Sequence, residues 1–385
     1  MSAAAAPPRQ LVARPHADRA IIWAVLALCA VGVVAVYSAV SFLAETKSGG
    51  DTERFLFRHL LRIGLALGAA GVMSLVDYRR LARVSKLALV GSLALLVAVQ
   101  VVGAVTNGAQ RWIELGPISF QPSDLAKVAL IVHVAVLLAR KQAYIGDLQR
   151  GFAPLLVWIG PTVLLIGMED LSTAAVLSLT MGAMLFVGRV RVLHMAVVAL
   201  AGLVLAVGFL ASSPQRAARL EAWTGVELFD SNDDVAMMSA QDENYQSDQA
   251  RIAFAMGGVA GVGPGKSLQR DFLPAPYNDF IFAIIAEEYG LIGAGLVLLV
   301  FVWLLGRGFL RVAKNAPDPL GLFLATGLTT AVVLGGFVNA AVATGLLPVT
   351  GLAMPFVSYG GTSMIATGAM VGILLNVSRH SRAAS

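Results

Sequence analysis

The residues of this sequence that could do chemistry are acids in a mostly apolar stretch, residues 274–293 (PAPYNDFIFAIIAEEYGLIG). Asp279 stands at the edge of the apolar run, and Glu287 and Glu288 lie inside it. Charged side chains in apolar surroundings are costly unless they are paired or functional. A carboxylate so placed can serve as a general base toward a hydroxyl group. The alternative role for Asp279 is an N-terminal helix cap, which aspartate fills well.

The two glutamates lie about 12 Å beyond Asp279 if the segment is helical. Adjacent helical side chains point about 100° apart, so Glu287 and Glu288 cannot face one small cavity equally. We expect one of them to pair with a basic group such as Lys127 or Arg111, and Glu288 is a candidate substrate-binding residue.

A second polar cluster occupies residues 107–127 (NGAQRWIELGPISFQPSDLAK). Asp124 and Lys127 are separated by one helical turn, so they share a face and can neutralise each other as an ion pair. Lys127 also offers a cation suited to a phosphate group. Arg111 and Trp112 lie just before them in a short loop. Trp112 is a candidate substrate contact, or else an anchor at the membrane interface.

The third cluster is the short sequence MEDLSTA, residues 168–174. Asp170 and Thr173 are candidate substrate contacts. The equally simple alternative is a polar turn between two helices in which Asp170 caps the second helix.

The fourth cluster, residues 344–363 (TGLLPVTGLAMPFVSYGGTS), is uncharged and contains two prolines and four glycines. Proline interrupts helices. Non-helical backbone at membrane depth is tolerated only where it is buried in protein or lines a cavity. We therefore expect this loop to fold back toward the site, with Ser358 and Gly360 as candidate substrate contacts. A simple outward turn is the alternative.

Composition places these clusters in a membrane protein. The 385 residues are 57% hydrophobic and 13% charged, with a mean hydropathy of +0.77, whereas soluble domains carry about 25% charged residues. The chain has one cysteine, Cys29, which excludes an intrachain disulfide and a cysteine metal cluster. The sequence predicts one membrane-embedded body rather than several soluble domains.

Hydropathy predicts an all-α polytopic membrane protein with about ten transmembrane helices, each of about 20 apolar residues. The first span is too long for a signal peptide and is interpreted as an uncleaved helix. The boundary between the fifth and sixth spans consists only of Glu169 and Asp170. The predicted spans lie near residues 21–43, 59–76, 85–106, 122–139, 152–168, 171–188, 192–212, 278–306, 320–346 and 357–378.

Basic residues predict the orientation of these spans. The N-terminal tail and every second connection hold 17 of the 28 Lys and Arg residues, and such residues favour the cytoplasmic side. Both termini are therefore expected in the cytoplasm of a multi-pass protein of the cytoplasmic (inner) membrane. The segments are an N-terminal tail (1–20), helices 1–7 (21–212), a large extracytoplasmic loop (213–277), helices 8–10 (278–378) and a C-terminal tail (379–385).

The large loop, residues 213–277, divides into two parts. Residues 221–244 are acidic and read as a solvated stretch. The following segment is amphipathic, then glycine-rich, and leads directly to Asp279. Long loops in compact proteins are usually functional or disordered, so Gln249 and Arg251 in this second part are candidate substrate-binding residues.

The stretch GVGPGKS, residues 261–267, is not a nucleotide-binding P-loop. The motif G-x-x-x-x-G-K-[ST] requires glycine at position 260, which is Ala260, and no strand precedes it. The glycines favour a tight turn at the membrane surface.

All four polar clusters fall on the predicted outward side. A transporter is expected to place polar groups near the bilayer midplane, where both sides can reach them. The clustering therefore favours chemistry at the outer membrane surface.

Four segments together resemble the SEDS family of bacterial cell-wall polymerases, named for shape, elongation, division and sporulation. They are NGAQRWIELGPISFQPSD, ENYQSDQARIAFAMGGVAGVGPG, NDFIFAIIAEEYGLIG and LLPVTGLAMPFVSYGGTS. They occur in order along nearly the whole chain. The resemblance is to the FtsW-like division branch more than to the RodA-like elongation branch.

This resemblance implies a peptidoglycan glycosyltransferase that acts on lipid II, a disaccharide-pentapeptide on undecaprenyl pyrophosphate. It implies a class B penicillin-binding protein, a transpeptidase, as partner, among other divisome or elongasome membrane proteins. Asp279 matches the essential aspartate of the family's D-F-I-F motif, and Trp112 matches the tryptophan of its R-W motif. Asp124 stands where the family usually has glutamate, and Tyr277-Asn278 where His-Thr is common.

In such a reaction Asp279 is the expected general base, and cations stabilise the departing pyrophosphate. Arg111, Lys127 and Arg251 are the candidate cations. Mg²⁺ or Mn²⁺ is an alternative source of positive charge, although no ligand cluster in the sequence requires a metal. Competing interpretations are a lipid II flippase, an elongation-type polymerase and a non-catalytic scaffold that recruits division proteins.

Overall fold

The computed structural model describes residues 17–47, 52–102, 104–106, 109–115, 118–211, 217, 220–221, 223–224 and 234–381. The predictions for the tails up to residue 16 and beyond residue 381, and for residues 225–233 of the acidic stretch, lie outside this part. The same holds for the side chain of Arg111.

The described part of the chain contains eleven helices. They are α1 (Arg19–Lys47), α2 (Thr52–Leu75), α3 (Tyr78–Val102), α4 (Pro122–Lys141), α5 (Ala153–Glu169), α6 (Leu171–Val187), α7 (Val192–Ala211), α8 (Asp234–Gly257), α9 (Ile281–Gly306), α10 (Pro319–Ala343) and α11 (Thr362–His380). Eight of these described helices are long and apolar enough to cross a bilayer, and α6 is apolar but shorter. The chain is an all-α polytopic membrane protein, as predicted.

The helices differ in how much of their surface lies inside the bundle. In the most apolar window of α4, 72% of residues are buried, and in that of α10, 67%. The corresponding window of α7 has no buried residue among those described. The centre of the protein is therefore built around α4 and α10, while α7 presents an apolar surface suited to lipid.

A small antiparallel sheet joins α3 to α4, where the sequence predicted the end of a span and a loop. Strands β1 (Ala104–Thr106), β2 (Ala109–Leu115) and β3 (Ile118–Phe120) pair in that order. The predicted span 85–106 was thus wrong at its end, because α3 stops at Val102.

The eighth predicted span is interrupted inside its helix. Gly290 in α9 has φ 67° and ψ −169°, which breaks the helix between two segments. A Cβ at Gly290 would collide with the backbone of Val259 and Gly261, so the position requires glycine. Gly258 and Val259 accept hydrogen bonds from the amides of Leu291 (2.9 Å) and Ile292 (3.2 Å). The glycine-rich segment after α8 therefore pairs with the break in α9, rather than forming only a surface turn.

The end of the bundle near the basic connections is fastened by Asp318, the N-cap of α10. Its carboxylate accepts hydrogen bonds from Gly321 N (2.8 Å), Tyr78 Oη (2.8 Å) and Arg79 Nη2 (2.9 Å). Burial alone would raise the pKa of Asp318, but these donors outweigh it and lower the pKa below its ordinary value. Asp318 thereby links α3 to α10 through its ionised form.

Replacing Asp318 with Asn should lower stability at neutral pH by about 1–3 kcal/mol, because hydrogen bonds to a charged group are lost. A lowered pKa in the folded protein contributes stability above the unfolded value of about 3.9, and this contribution disappears as pH falls through the folded value. The melting temperatures of the variant and the wild type in detergent should therefore begin to converge below about pH 4 and come together as pH falls through the lowered pKa of Asp318. A difference that stays constant with pH would contradict this assignment.

Candidate active site

Asp279 lies in a turn that precedes α9. The helix begins at Ile281, with Phe280 at the cap position and no side-chain cap hydrogen bond. The interpretation of Asp279 as a helix cap is therefore wrong. Asp279 is half-buried, at the entrance of the first α9 segment.

The backbone of this turn is held by three consecutive carbonyls, those of residues 277, 278 and 279. Each accepts a hydrogen bond from outside its own segment. The donors are, in order, Tyr359 N at 2.9 Å, Ser358 Oγ at 2.6 Å and Asn339 Nδ2 at 2.9 Å. Two of these donors belong to the proline- and glycine-rich loop between α10 and α11. That loop folds back into the protein, which confirms the prediction.

The same loop forms a wall beside the Asp279 carboxylate. Gly351 has φ 70°, and a Cβ placed there would lie 3.8 Å from Asp279 Oδ2. Gly351 and Asn278 both line the cavity described next. Asp279 thus has two cavity-lining neighbours: Asn278, which precedes it in sequence, and Gly351, which lies close to it in space.

A cavity of about 320 Å³ lies between α4, α6, α10 and α11. Its polar part includes Arg62, Gln121, Asp124, Lys127, Asp170 and Thr173. Its apolar part includes Ile131, Val176, Leu177, Ala331, Val332 and Met370. A site that combines charged groups with an apolar interior suits an amphiphile with a charged head and a hydrocarbon chain.

Lys127 and Asp124 form the ion pair that their spacing predicted. Lys127 Nζ lies 2.8 Å from Asp124 Oδ1. Asp124 is 2% exposed and also accepts a hydrogen bond from Thr362 Oγ1 at 3.0 Å. The pair has no net charge, so the positive charge of Lys127 is partly offset before any ligand binds.

Asp170 and Thr173 form the helix cap that the sequence offered as one alternative, and their contact with substrate stays a prediction. The Asp170 carboxylate caps α6 by accepting hydrogen bonds from Thr173 N (3.0 Å) and Thr173 Oγ1 (2.9 Å). Both residues also line the cavity. The predicted boundary between the fifth and sixth spans lies at this cap, which is correct.

The small sheet places Trp112 at the cavity. Trp112 stands in β2 opposite Ala104 of β1. It lines the cavity, and a Cβ placed at Gly361 would lie 3.9 Å from its ring. Gly360, a predicted contact, lines the same wall.

Arg62 of α2 lines the cavity and was missed in the sequence. Its guanidinium carbon lies 4.1 Å from the ring centroid of Tyr359, a cation–π contact. Among the described residues, no carboxylate forms an ion pair with Arg62. A cation inside a predicted span was the signal that could have identified it.

Tyr277 packs edge-on against Tyr359, with ring centroids 5.5 Å apart. Burial, the neighbouring Tyr359 and the Asp279 charge raise the pKa of Tyr277 above its ordinary value. Its phenol is therefore neutral at physiological pH.

Comparison with known proteins places the chain in a family. Residues 19–383 match the family model of FtsW, RodA and SpoVE, described as a cell cycle protein. The chain belongs to the FtsW/RodA/SpoVE family of cell cycle proteins. This confirms the resemblance that the four motifs carry.

Two relatives align with nearly the whole of this chain. Stage V sporulation protein E of Bacillus subtilis (strain 168) is 39% identical over 369 residues, which span 95% of this chain and 98% of that protein. A protein of Geobacter sulfurreducens named probable peptidoglycan glycosyltransferase FtsW is 38% identical over 371 residues, spanning 95% and 96%.

Solved structures share the fold of this family member. The rod shape determining protein RodA of Thermus thermophilus superposes with a TM-score of 0.69 at 27% identity, covering 98% of this chain and 100% of that one. A chain from a structure described as "Structural coordination of polymerization and crosslinking by a peptidoglycan synthase complex" gives a TM-score of 0.73 at 29% identity, covering 94% and 98%.

The expected pairing of Glu287 or Glu288 with Lys127 is wrong. The Glu287 carboxylate is fully buried and accepts hydrogen bonds from Ser267 Oγ and from Leu268 N (2.9 Å). Glu288 is also buried and accepts a hydrogen bond from Ser38 Oγ of α1. Neither glutamate lines the cavity. They hold the glycine-rich segment and α1 against α9, which explains their presence in an apolar run.

Other predicted contacts lie away from the cavity. Arg251 of α8 is exposed, 3.7 Å from Asp248, and packs near Gly345. Gln249 is half-buried on the same helix. Ser358 is buried behind the cavity wall, where it accepts from Met354 N (2.7 Å) and donates to the Asn278 carbonyl. Their roles in substrate binding stay predictions, as does that of Arg111.

The donor set of the cavity does not fit a divalent cation. Asp124 and Asp170 are the carboxylates that line it. The first is paired with Lys127 and the second caps α6. Among the described residues, no group of three or more His, Cys, Asp or Glu is arranged to hold a metal. Assistance by Mg²⁺ or Mn²⁺ stays a prediction.

Gly351→Ala should destabilise the protein by about 1–2 kcal/mol, because L-residues are strained at positive φ. The matched control is Gly295→Ala in the second segment of α9, where the added methyl meets no atom within 4 Å. There alanine should be neutral or stabilising by up to about 1 kcal/mol. Melting temperatures in detergent measure both. Equal behaviour of the two variants would show that residue 351 does not need positive φ.

Proposed function

We propose that this chain is a peptidoglycan glycosyltransferase that polymerises lipid II at the outer face of the cytoplasmic membrane, with Asp279 as general base. The observation that carries the proposal is the placement of Asp279. Its backbone is fixed beside a cavity that holds cations at one end and apolar side chains at the other. The relatives named as probable peptidoglycan glycosyltransferases support the same reaction.

The reaction is a displacement at the anomeric carbon of one sugar. A hydroxyl oxygen of the acceptor glycan forms the new bond to that carbon, and the bond from the carbon to the pyrophosphate oxygen breaks. The bonding electrons leave with undecaprenyl pyrophosphate. The hydroxyl proton passes to the carboxylate of Asp279.

Asp279 suits the role of base because its backbone is fixed independently of its side chain. All three anchoring hydrogen bonds end on carbonyls, so the backbone position of Asp279 does not depend on the protonation state of its carboxylate. A positioned base of this kind contributes about 10²–10⁴-fold to rate. The neutral phenol of Tyr277 does not compete for the proton.

The departing pyrophosphate needs positive charge. Arg62 is better suited than Lys127, because its described neighbours include an aromatic ring but no paired carboxylate. Lys127 contributes less, since Asp124 lies 2.8 Å away. Both side chains line the same cavity, so two cations can meet one pyrophosphate.

The apolar part of the cavity suits the start of the lipid chain. Leu177 of α6 and Met370 of α11 line this part, about one helical turn beyond the polar residues Thr173 and Thr367 of the same helices. A lipid-linked sugar could thus keep its head near Asp279 while its first isoprene units contact protein. The basic groups at the other end of the bundle, such as Arg79 and Arg307, support an outward-facing cavity with cytoplasmic termini.

We also propose a class B penicillin-binding protein as partner and a role in cell division. The structural neighbour described as part of a peptidoglycan synthase complex supports a partner that crosslinks. The relatives named FtsW support division over elongation. Separate rescue of FtsW- and RodA-depleted cells by this chain tests the choice between them.

Asp279→Asn should lower polymer formation by about 10²–10⁴-fold, because the base is removed. Folding should be unaffected, since the anchors of residues 277–279 are backbone carbonyls. The measurement is polymerisation of purified lipid II by the variant with its partner present, together with its melting temperature. The matched control is Asp271→Asn, an acid of the same loop that forms a 3.5 Å ion pair with Arg270.

Full activity of Asp279→Asn would refute the base assignment. A second assay on the same preparations distinguishes a flippase from a polymerase. It measures translocation of labelled lipid II across the membrane of proteoliposomes. Translocation without polymer, by the wild type with its partner present, would replace the enzyme proposal by a transport function.

Arg62→Gln should lower kcat/KM by about 10- to 100-fold, because a hydrogen bond to a charged group contributes about 1.5–3 kcal/mol. The control is Arg58→Gln, an exposed arginine one turn earlier on α2. Steady-state kinetics with lipid II measure both variants. An equal loss in both would indicate a general effect of charge at the membrane surface rather than contact with the pyrophosphate.

A further inference from the structure

Asn339, near the end of α10, joins two separate parts of the site with one side chain. Its Nδ2 donates to the carbonyl of Asp279 at 2.9 Å and to the carbonyl of Leu352 at 2.7 Å. These acceptors are 60 and 13 residues away in sequence. Leu352 lines the cavity, next to Gly351. The amide therefore spans the gap between the Asp279 turn and the cavity wall.

The surroundings of Asn339 favour a fixed geometry. The residue is 1% exposed, so water does not compete for its hydrogen bonds. A primary amide has two N–H donors, and these two contacts use both. Among the described residues, Asn339 Oδ1 has no hydrogen-bond partner. The side chain therefore makes its hydrogen bonds through Nδ2.

Asn339 also stands on a rigid element. α10 is a regular 25-residue helix and one of the two most buried spans. The two acceptors, by contrast, lie in non-helical turns. A donor on a rigid helix can therefore hold both turns at one separation, which neither turn can set by itself.

We propose that Asn339 is a positioning residue for glycosyl transfer. Its amide fixes the backbone of Asp279 relative to the cavity wall at Leu352 and thereby sets the direction of the Asp279 carboxylate. This inference rests on the proposed function of Asp279 as base. Asn339 itself does not touch the substrate or the reacting atoms.

A positioning role affects turnover more than binding. The cations Arg62 and Lys127 belong to α2 and α4, and most apolar side chains of the cavity belong to α4, α6, α10 and α11 rather than to these two turns. Loss of the Asn339 amide should therefore lower kcat, by up to about 10²-fold for a displacement near 1 Å. KM should stay within about threefold, since the binding contacts are unchanged.

Two variants test this. Asn339→Leu has similar volume and no donor. Asn339→Asp keeps the shape of the side chain but can donate a hydrogen bond only when its carboxyl is protonated. Lowering the pH also protonates Asp279 and reduces kcat in both proteins. The ratio of the variant's kcat to the wild-type kcat should nevertheless rise as pH is lowered. The matched control is Thr330→Val on the same helix, which removes a hydroxyl that has no hydrogen-bond partner among the described residues.

Hydrogen exchange of the full-length protein in nanodiscs gives a readout that does not depend on activity. In Asn339→Leu, the amides of Ala283 and Tyr359, which bond to the carbonyls of Phe280 and Tyr277, should exchange faster. The amide of Gly321, held by Asp318 at the other end of α10, should exchange at the wild-type rate. The same samples are then assayed for kcat and KM with lipid II.

The outcomes separate the two proposals. Faster local exchange with lower kcat and unchanged KM supports positioning. If Asn339→Leu shows unchanged exchange, or faster exchange with wild-type kcat, the positioning role of Asn339 is overturned. The base assignment still stands in that case, provided that Asp279→Asn is inactive. An active Asp279→Asn overturns both, and the exchange data then report only how the turn is held. An Asn339→Leu that does not fold leaves the test to the pH dependence of Asn339→Asp, where a ratio that is flat with pH overturns the proposal.

Discussion

The site depends on hydrogen bonds to three consecutive carbonyls, those of residues 277–279. They lie just before a helix that starts at Ile281, so no helical partner can satisfy them. Tyr359, Ser358 and Asn339 supply the donors from another part of the chain. In apolar surroundings each unsatisfied carbonyl would cost free energy. The loop between α10 and α11 must therefore fold back, and in doing so it builds the wall beside Asp279.

The buried carboxylates near the site are also bound by groups of the protein. Three buried acids near the site have protein donors: Asp124 pairs with Lys127, Asp170 caps α6, and Glu287 accepts a hydrogen bond from the backbone of Leu268, just after the glycine-rich segment. These carboxylates stabilise the fold, because an ionised group in the membrane is tolerated only when paired. Asp279 is held through its backbone, where its carbonyl accepts a hydrogen bond from Asn339.

The break in α9 links this site to the glycine-rich segment that follows α8. Gly290 lets the backbone of Val259 approach the helix, and Glu287 and Glu288 fasten the adjoining segments from either side. A continuous helix would leave no backbone groups for the glycine-rich segment to bind. Interrupted membrane helices recur where proteins place function at membrane depth, and here the first segment of α9 begins two residues after Asp279.

The sequence by itself determined the apolar helices, their approximate ends, and several of the polar residues at the cavity, whereas α8 within the predicted large loop was not predicted. Hydrophobic length and the cost of embedded charge are local properties, so the spans, the Asp124–Lys127 pair and the cap at Asp170 could be predicted. Only the tertiary structure decided which polar residues meet. Arg62 and Asn339 each lie within a single apolar span, and their importance comes from partners far away in sequence. Glu288 was expected at the site for the opposite reason. The unfavourable position of its charge in an apolar run was visible in the sequence, but the Ser38 hydroxyl that binds it was not.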